Sequence, residues 1–141
     1  MISERDVIRM KVPFPSISSE LATSPHMYIC IKSASPKYKF VKCQTLKPYM
    51  LIKPPTENYC DEPADIARNP FMHKTRIDCD KRFKTSEVEY DDRLLTPNRP
   101  DICDELFSAI NEKLLQSGND ISLNEEELVT INPLITKISL S

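Results

Sequence analysis

Lys74-Thr75-Arg76-Ile77-Asp78-Cys79-Asp80-Lys81-Arg82-Phe83 is the stretch on which the reading of this chain turns. At a period of two, Lys74, Arg76, Asp78, Asp80 and Arg82 fall on one side, and Thr75, Ile77, Cys79, Lys81 and Phe83 on the other. Successive side chains of a strand point to opposite faces, so the pattern predicts a strand that is mostly apolar below and wholly ionic above. Cations alternating with carboxylates on a rigid surface have two uses. They hold a phosphodiester and shuttle protons, or they form a solvated salt-bridge ladder, and this stretch alone leaves both open.

Outward from that ribbon, composition narrows the choice. The chain of 141 residues suits one domain with a modest core. Its start, Met1-Ile2-Ser3-Glu4-Arg5-Asp6, has no apolar signal region, and the run Met27 to Ile31 is far shorter than the roughly 20 residues a membrane span needs. A cytoplasmic protein with no membrane partner is expected. Five cysteines, an odd number without a close pair, fit reduced thiols. The single glycine, Gly118, excludes a P-loop, a dinucleotide-binding fingerprint and a nucleophile elbow, all of which need several glycines at fixed spacing. Charge is uneven. Residues 1–53 carry nine Lys or Arg against three Asp or Glu, and residues 54–141 carry ten against eighteen. A basic half fits either an anionic partner such as RNA or internal complementarity with the acidic half.

Along the chain, Asp6 to Val12 is β-branched and alternating, and Pro13-Phe14-Pro15 stops it. A long polar loop follows to Pro25. His26 to Lys32 and Lys37 to Gln44 read as a hairpin across Ser33-Ala34-Ser35-Pro36, and Tyr49 to Lys53 as a short fourth strand. Residues 54–73 read as a loop with a helical turn near Pro63 to Ala67, and Glu87 to Leu95 as extended. Ile102, Leu106, Phe107, Ile110, Leu114 and Leu115 recur at three and four, predicting a helix from about Asp101 to Gln116. Asp101 or Asn98 would cap it, and Gly118 would end it at a positive φ. A strand from Ile121 to Leu123, a short acidic helix from about Asn124 and a strand from Ile135 to Leu140 close the chain. The expected class is α+β, mainly β: a small barrel or strongly bent antiparallel sheet over about 5–96, an amphipathic helix over about 101–117, and an acidic extension over 118–141 within a single domain.

Several short motifs resemble the MazF/PemK/Kid family of toxin endoribonucleases, whose fold, shared with CcdB, is an SH3-like barrel with a C-terminal helix. Asp6-Val7-Ile8 resembles the family's Gly-Asp-Ile/Val opening, with Arg5 at the glycine. Ser24-Pro25-His26-Met27-Tyr28-Ile29 resembles the Arg-Pro-x-Leu-Val-Ile strand, with Ser24 at the arginine. Thr45 falls on the Thr/Ser of a strand ending Pro-Ile-Thr/Ser, and Cys79-Asp80-Lys81 resembles a Cys/Leu-Asp-Gln strand. The resemblance covers about residues 5–117. It implies a metal-independent endoribonuclease cleaving single-stranded RNA, the homodimeric toxin of a toxin–antitoxin pair. The alternative is a catalytically inactive binding module on the same barrel, holding a protein or RNA, and Ser24 favours it.

Cleavage of that kind uses the neighbouring 2′-hydroxyl as nucleophile and needs a base, an acid and a cation at the phosphate. Asp80, at the family's active-site aspartate, is the candidate base. Arg76 is the nearest cation on its face, because Asp78 stands at the family's arginine position. Either Arg76 or Arg82 would stabilise the phosphorane, His26 would act as acid or phosphate ligand, and Thr45 would donate to the phosphate. Lys37, Lys39, Lys42 and Arg82, interleaved with Tyr28 and other aromatics, are the candidate RNA-binding residues. Each also has a plain structural reading: an ion pair for Asp80, a satisfied histidine for His26, core packing for the aromatics. A zinc set from Cys60, His73, Cys79 and Cys103 lacks a close ligand pair, so no metal and no cofactor are expected.

Overall fold

The computed structural model describes residues 1–52 and 58–138. Its elements are β1 (Val7–Met10), α1 (Glu20–Thr23), β2 (His26–Ala34), β3 (Lys37–Thr45), α2 (Pro48–Ile52), β4 (Tyr59–Glu62), β5 (Thr75–Asp78), β6 (Lys81–Thr85), β7 (Val88–Tyr90), α3 (Asp104–Ser117), β8 (Asn119–Ser122), α4 (Glu125–Ile131) and β9 (Ile135–Lys137). Lys53, Pro54, Pro55 and Leu140, on which some expectations fell, lie outside the described residues.

The β2–β3 hairpin forms as expected, antiparallel, with Met27 opposite Cys43 and Ala34 opposite Lys37. β1 pairs with the outer edge of β2. On its other edge, β3 takes β6 along Tyr38 to Phe40 and β5 along Cys43 to Thr45. β4 lies beyond β5, β8 runs parallel to β6, and β7 pairs separately with β9. The class is therefore α+β, a mainly antiparallel sheet with four α-helices among the described residues. Among the described residues the sheet is open and branched, and the closed barrel is not found.

The ionic ribbon is not one strand. It breaks between Asp78 and Lys81 into β5 and β6. Cys43 faces Ile77 while Phe40 faces Phe83, so three steps along β3 correspond to six along the ribbon. An odd excess reverses which side chains point to which face. Ile77 and Cys79 accordingly enter one core, and Phe83 the core on the opposite side. The expected single ionic edge does not exist: Arg76 and Asp78 lie on one face, Arg82 on the other.

Both faces of the sheet are covered. Ile8, Met10, Tyr28, Cys30, Phe40 and Phe83 pack beneath Leu123, Leu128, Tyr90 and Ile135. Val7, Ile29, Val41, Cys43, Ile77 and Cys79 pack beneath Phe71, Ile102 and the α3 residues Leu106, Ile110 and Leu114. Two covered faces explain the unbroken apolar runs of β2, where neither parity of position faces water. The acidic extension belongs to this packing, since β8 pairs with β6 and Leu123, Leu128 and Ile135 are buried.

Four further expectations change. Tyr49 to Ile52 is helical, with Pro48 opening α2 where its missing N–H is harmless, and only Met50 of the helix is buried. The loop over 54–73 contains β4, and its turn runs over 66–68, opened by Asp65, whose carbonyl accepts from Arg68 and Asn69. α3 starts at Asp104 because Asp101 bridges Asp6 and the Ile102 N–H bonds Arg5, and Leu115 is 88% exposed rather than part of the buried stripe. Gly118 has φ −69°, so a left-handed cap is not its role. Its use is close approach: a Cβ there would stand 3.0 Å from the Leu114 carbonyl oxygen and 3.2 Å from the Arg82 guanidinium. No described helix is long and apolar enough to cross a membrane.

Candidate functional site

The residues expected to form one site divide into two groups. Arg76 and Asp80 are joints of the sheet. Arg76 is buried on β5 and directly opposite Asp61 of β4, to which its Nε and Nη2 donate at 2.7 and 2.8 Å. Its Nη1 donates to the Met50 carbonyl at 3.0 Å, and its guanidinium lies 3.7 Å over the Tyr59 ring. The Asp61 carboxylate holds the guanidinium pKa above its usual value. Asp80, in the break between β5 and β6, accepts the Asn58 N–H on Oδ1 at 3.0 Å, and its carbonyl accepts from Asn119. Asp78 caps this turn, accepting the Asp80 N–H at 2.8 Å. Burial pushes the Asp78 carboxyl pKa up, against that hydrogen bond and the nearby Lys81 and Lys42.

His26 and Thr45 come together in a different place. Both line a cleft of about 470 Å³ at the end of the sheet, with Arg9, Gln44, His73 and Asn98. The cleft lies where strand ends meet: by register Arg9 and Thr45 share one face of the sheet, and His26 falls on the other, at the sheet's end. His26 opens β2 opposite Met10, the exposed Arg9 stands beside it opposite Met27, and Met27 faces Cys43 near the end of β3. Thr45 faces Thr75, which places His73, two residues before, on the rim. The Thr75 hydroxyl donates to the His73 carbonyl at 2.9 Å and fixes that approach. Asn98 on the opposite wall takes φ 68°, a left-handed conformation that asparagine tolerates better than most residues.

The His26 ring is oriented by its own neighbour. Nδ1 lies 3.0 Å from the Ser24 carbonyl, which can only accept, so Nδ1 carries the proton and Nε2 is the basic nitrogen. The cleft thus gathers both histidines of the chain, one arginine and three threonines, Thr45, Thr75 and Thr96. Sequence reasoning missed Arg9, and weighed His73 only as a zinc ligand. The exposed position of Arg9 within an otherwise buried strand was a usable signal, and so was the presence of only two histidines.

The RNA-binding candidates also separate. Tyr28 is fully buried against Phe83, and its hydroxyl has no hydrogen-bond partner among the described residues, so its ring offers no platform to solvent. Lys42 is half-buried opposite Tyr28. Lys39 and Arg82 share Asp120 at 2.9 and 2.6 Å and hold its carboxyl below the usual range. Lys37 is exposed at the hairpin end. Among the described residues no group of three or more His, Cys, Asp or Glu is placed to hold a metal ion. No family model matches the chain, and no curated protein matches it.

Proposed function

We propose that the chain is a metal-independent endoribonuclease for single-stranded RNA, acting in the cleft between His26 and His73. The convergence of His26, His73, Arg9 and Thr45 in one open hollow carries this reading, and the motif resemblance to the MazF/PemK/Kid toxins supports it. His26 Nε2 takes the 2′-hydroxyl proton as that oxygen attacks phosphorus. His73 gives a proton to the departing 5′-oxygen, leaving a 2′,3′-cyclic phosphate and a free 5′-hydroxyl. Arg9 and the Thr45 hydroxyl stabilise the negative charge that builds on the phosphoryl oxygens. No metal is required at any step. Asp80 and Arg76 hold the sheet that frames the cleft and do not touch the substrate.

The test is incubation of purified protein with single-stranded RNA in EDTA, followed by mapping of the ends. Cleavage that survives both His26→Ala and His73→Ala overturns the site. The second reading is a binding module without catalysis. It is favoured by Ser24, which supplies only a carbonyl to His26 where the resembled family has a cation. RNA that stays intact while still binding would select it. As a toxin, the protein would arrest growth when induced and be relieved by a co-expressed antitoxin. A homodimer would show as twice the chain mass in sedimentation.

A further inference from the structure

The far end of the sheet holds a second feature. Lys32 of β2 lies opposite Lys39 of β3, and Lys39 lies opposite Lys84 of β6, with Ser122 of β8 next in line. Residues in register point to the same face, so three lysine side chains leave one face of the sheet in a row across three strands spaced about 4.8 Å apart. Like charges directly opposite are destabilising in a sheet. Among the described residues only Lys39 of the row has a carboxylate partner, Asp120, which it shares with Arg82. Lys32, Lys37 and Lys84 make no ion pair among the described residues. The row borders a hollow of about 520 Å³ that also takes in Lys37, Ser86 and Glu125. Glu125 is already engaged by the Ser86 and Glu87 N–H groups and by Lys137.

We propose that this lysine row is a binding site for the phosphate backbone of single-stranded RNA, resting on the reading of the chain as an RNA-directed protein. Lys39 and Thr45 are six residues apart on β3, about 20 Å. The row therefore holds phosphates flanking the cleft and not the scissile one. A nucleic-acid backbone fits better than an acidic protein. Protein interfaces centre on apolar and aromatic anchors with charge depleted, whereas the aromatic in this hollow, Tyr38, is buried. Lysines with nearby hydroxyls instead match contacts that position a backbone without reading bases.

The experiment uses a short 2′-O-methyl RNA oligonucleotide of mixed sequence, which binds but cannot be cut for want of a nucleophile. Three lysines at the single-strand slope predict that wild-type affinity falls about twentyfold between about 50 and about 200 mM salt. The double variant Lys32→Gln/Lys84→Gln should bind more weakly at low salt, fall only about threefold over the same range, and melt no lower than wild type. Its turnover on a substrate short enough to occupy only the cleft should be unchanged, with KM raised on longer RNA. Failure of the wild type to bind overturns the inference, as does equal binding by the double variant. Polyglutamate binding in place of the oligonucleotide would overturn it in favour of an acidic protein. Loss of cleavage in His26→Ala with binding intact leaves the row standing, while uncut natural RNA with normal binding sinks the nuclease reading alone.

Discussion

Arg76 and Lys84 sit on consecutive strands, yet they live in opposite electrostatic worlds. Arg76 is buried with Asp61 across the strand, a carbonyl at its third nitrogen and an aromatic face beneath it. Lys84 meets Lys39 across the strand and has no carboxylate of its own among the described residues. Residue type does not separate them; register does. A cation that brings its counter-ion within the sheet belongs to the architecture. Cations that face cations leave the anion to be supplied from outside. The same contrast sets the Asp78–Asp80 turn, whose carboxylates cap backbone N–H groups, against the His26–His73 cleft, whose polar groups converge on open space.

Substitution in the cleft and in the sheet joint should break that contrast in opposite ways. The largest effect belongs to the cleft. His26→Ala or His73→Ala should slow cleavage by roughly 10²–10⁴-fold with the melting temperature unmoved. Equal losses of stability and activity would place these histidines in the scaffold instead. Next, Arg76→Ala should lower stability by about 3 kcal/mol, because it strands Asp61 and empties the space over Tyr59. Arg76→Lys should recover little, since an ammonium cannot reproduce the planar fork. Denaturant unfolding measures both, and a wild-type midpoint in Arg76→Ala would refute the assignment of this residue to the framework.

The Asp78 carboxyl sharpens the comparison through pH. Burial raises its pKa above the usual 3.8, so the folded state keeps a proton that the unfolded state releases. Between 3.8 and the raised value its contribution to stability therefore falls as pH rises. Asp78→Asn keeps an acceptor for the Asp80 N–H and removes that loss. Relative to wild type the variant should gain most near neutral pH and least below pH 3.8. A difference in melting temperature that ignores pH would show that the carboxyl is compensated by Lys81 and Lys42. The smallest effect is at the lysine row. Lys32→Gln alone should raise stability by less than about 1 kcal/mol, and the gain should shrink as salt screens the repulsion.

Elements whose pattern is local were legible beforehand. The β2–β3 hairpin, the first strand, the Leu106–Ile110–Leu114 stripe of α3 and the α4 start at Asn124 all follow from spacing and caps over short windows. The misreadings share a cause. Tyr49 to Ile52 was apolar enough for a strand, but only Met50 has a core to enter, which suits a helical turn. β4 hid in a proline-rich segment because its polar residues Asp61 and Glu62 are satisfied by partners distant in sequence or folded back onto it, Arg76, Arg68 and Asn69. Gly118 looked like a left-handed cap, and the Leu114 carbonyl and Arg82 turned out to be the neighbours that crowd its Cβ position.

The sequence by itself determined the α+β class, most of the strands, the principal helix and the absence of glycine-dependent phosphate motifs, because these rest on periodicity, capping and composition. Tertiary structure alone decided that the charged ribbon flips at Cys79 and Asp80, that Arg76 is locked in while Lys32, Lys39 and Lys84 line up, and that His73 and Arg9 join His26 and Thr45. Each of those outcomes depends on how many residues of one strand lie opposite another. That count is settled by long-range packing on both faces of the sheet and is invisible in any single window of the chain.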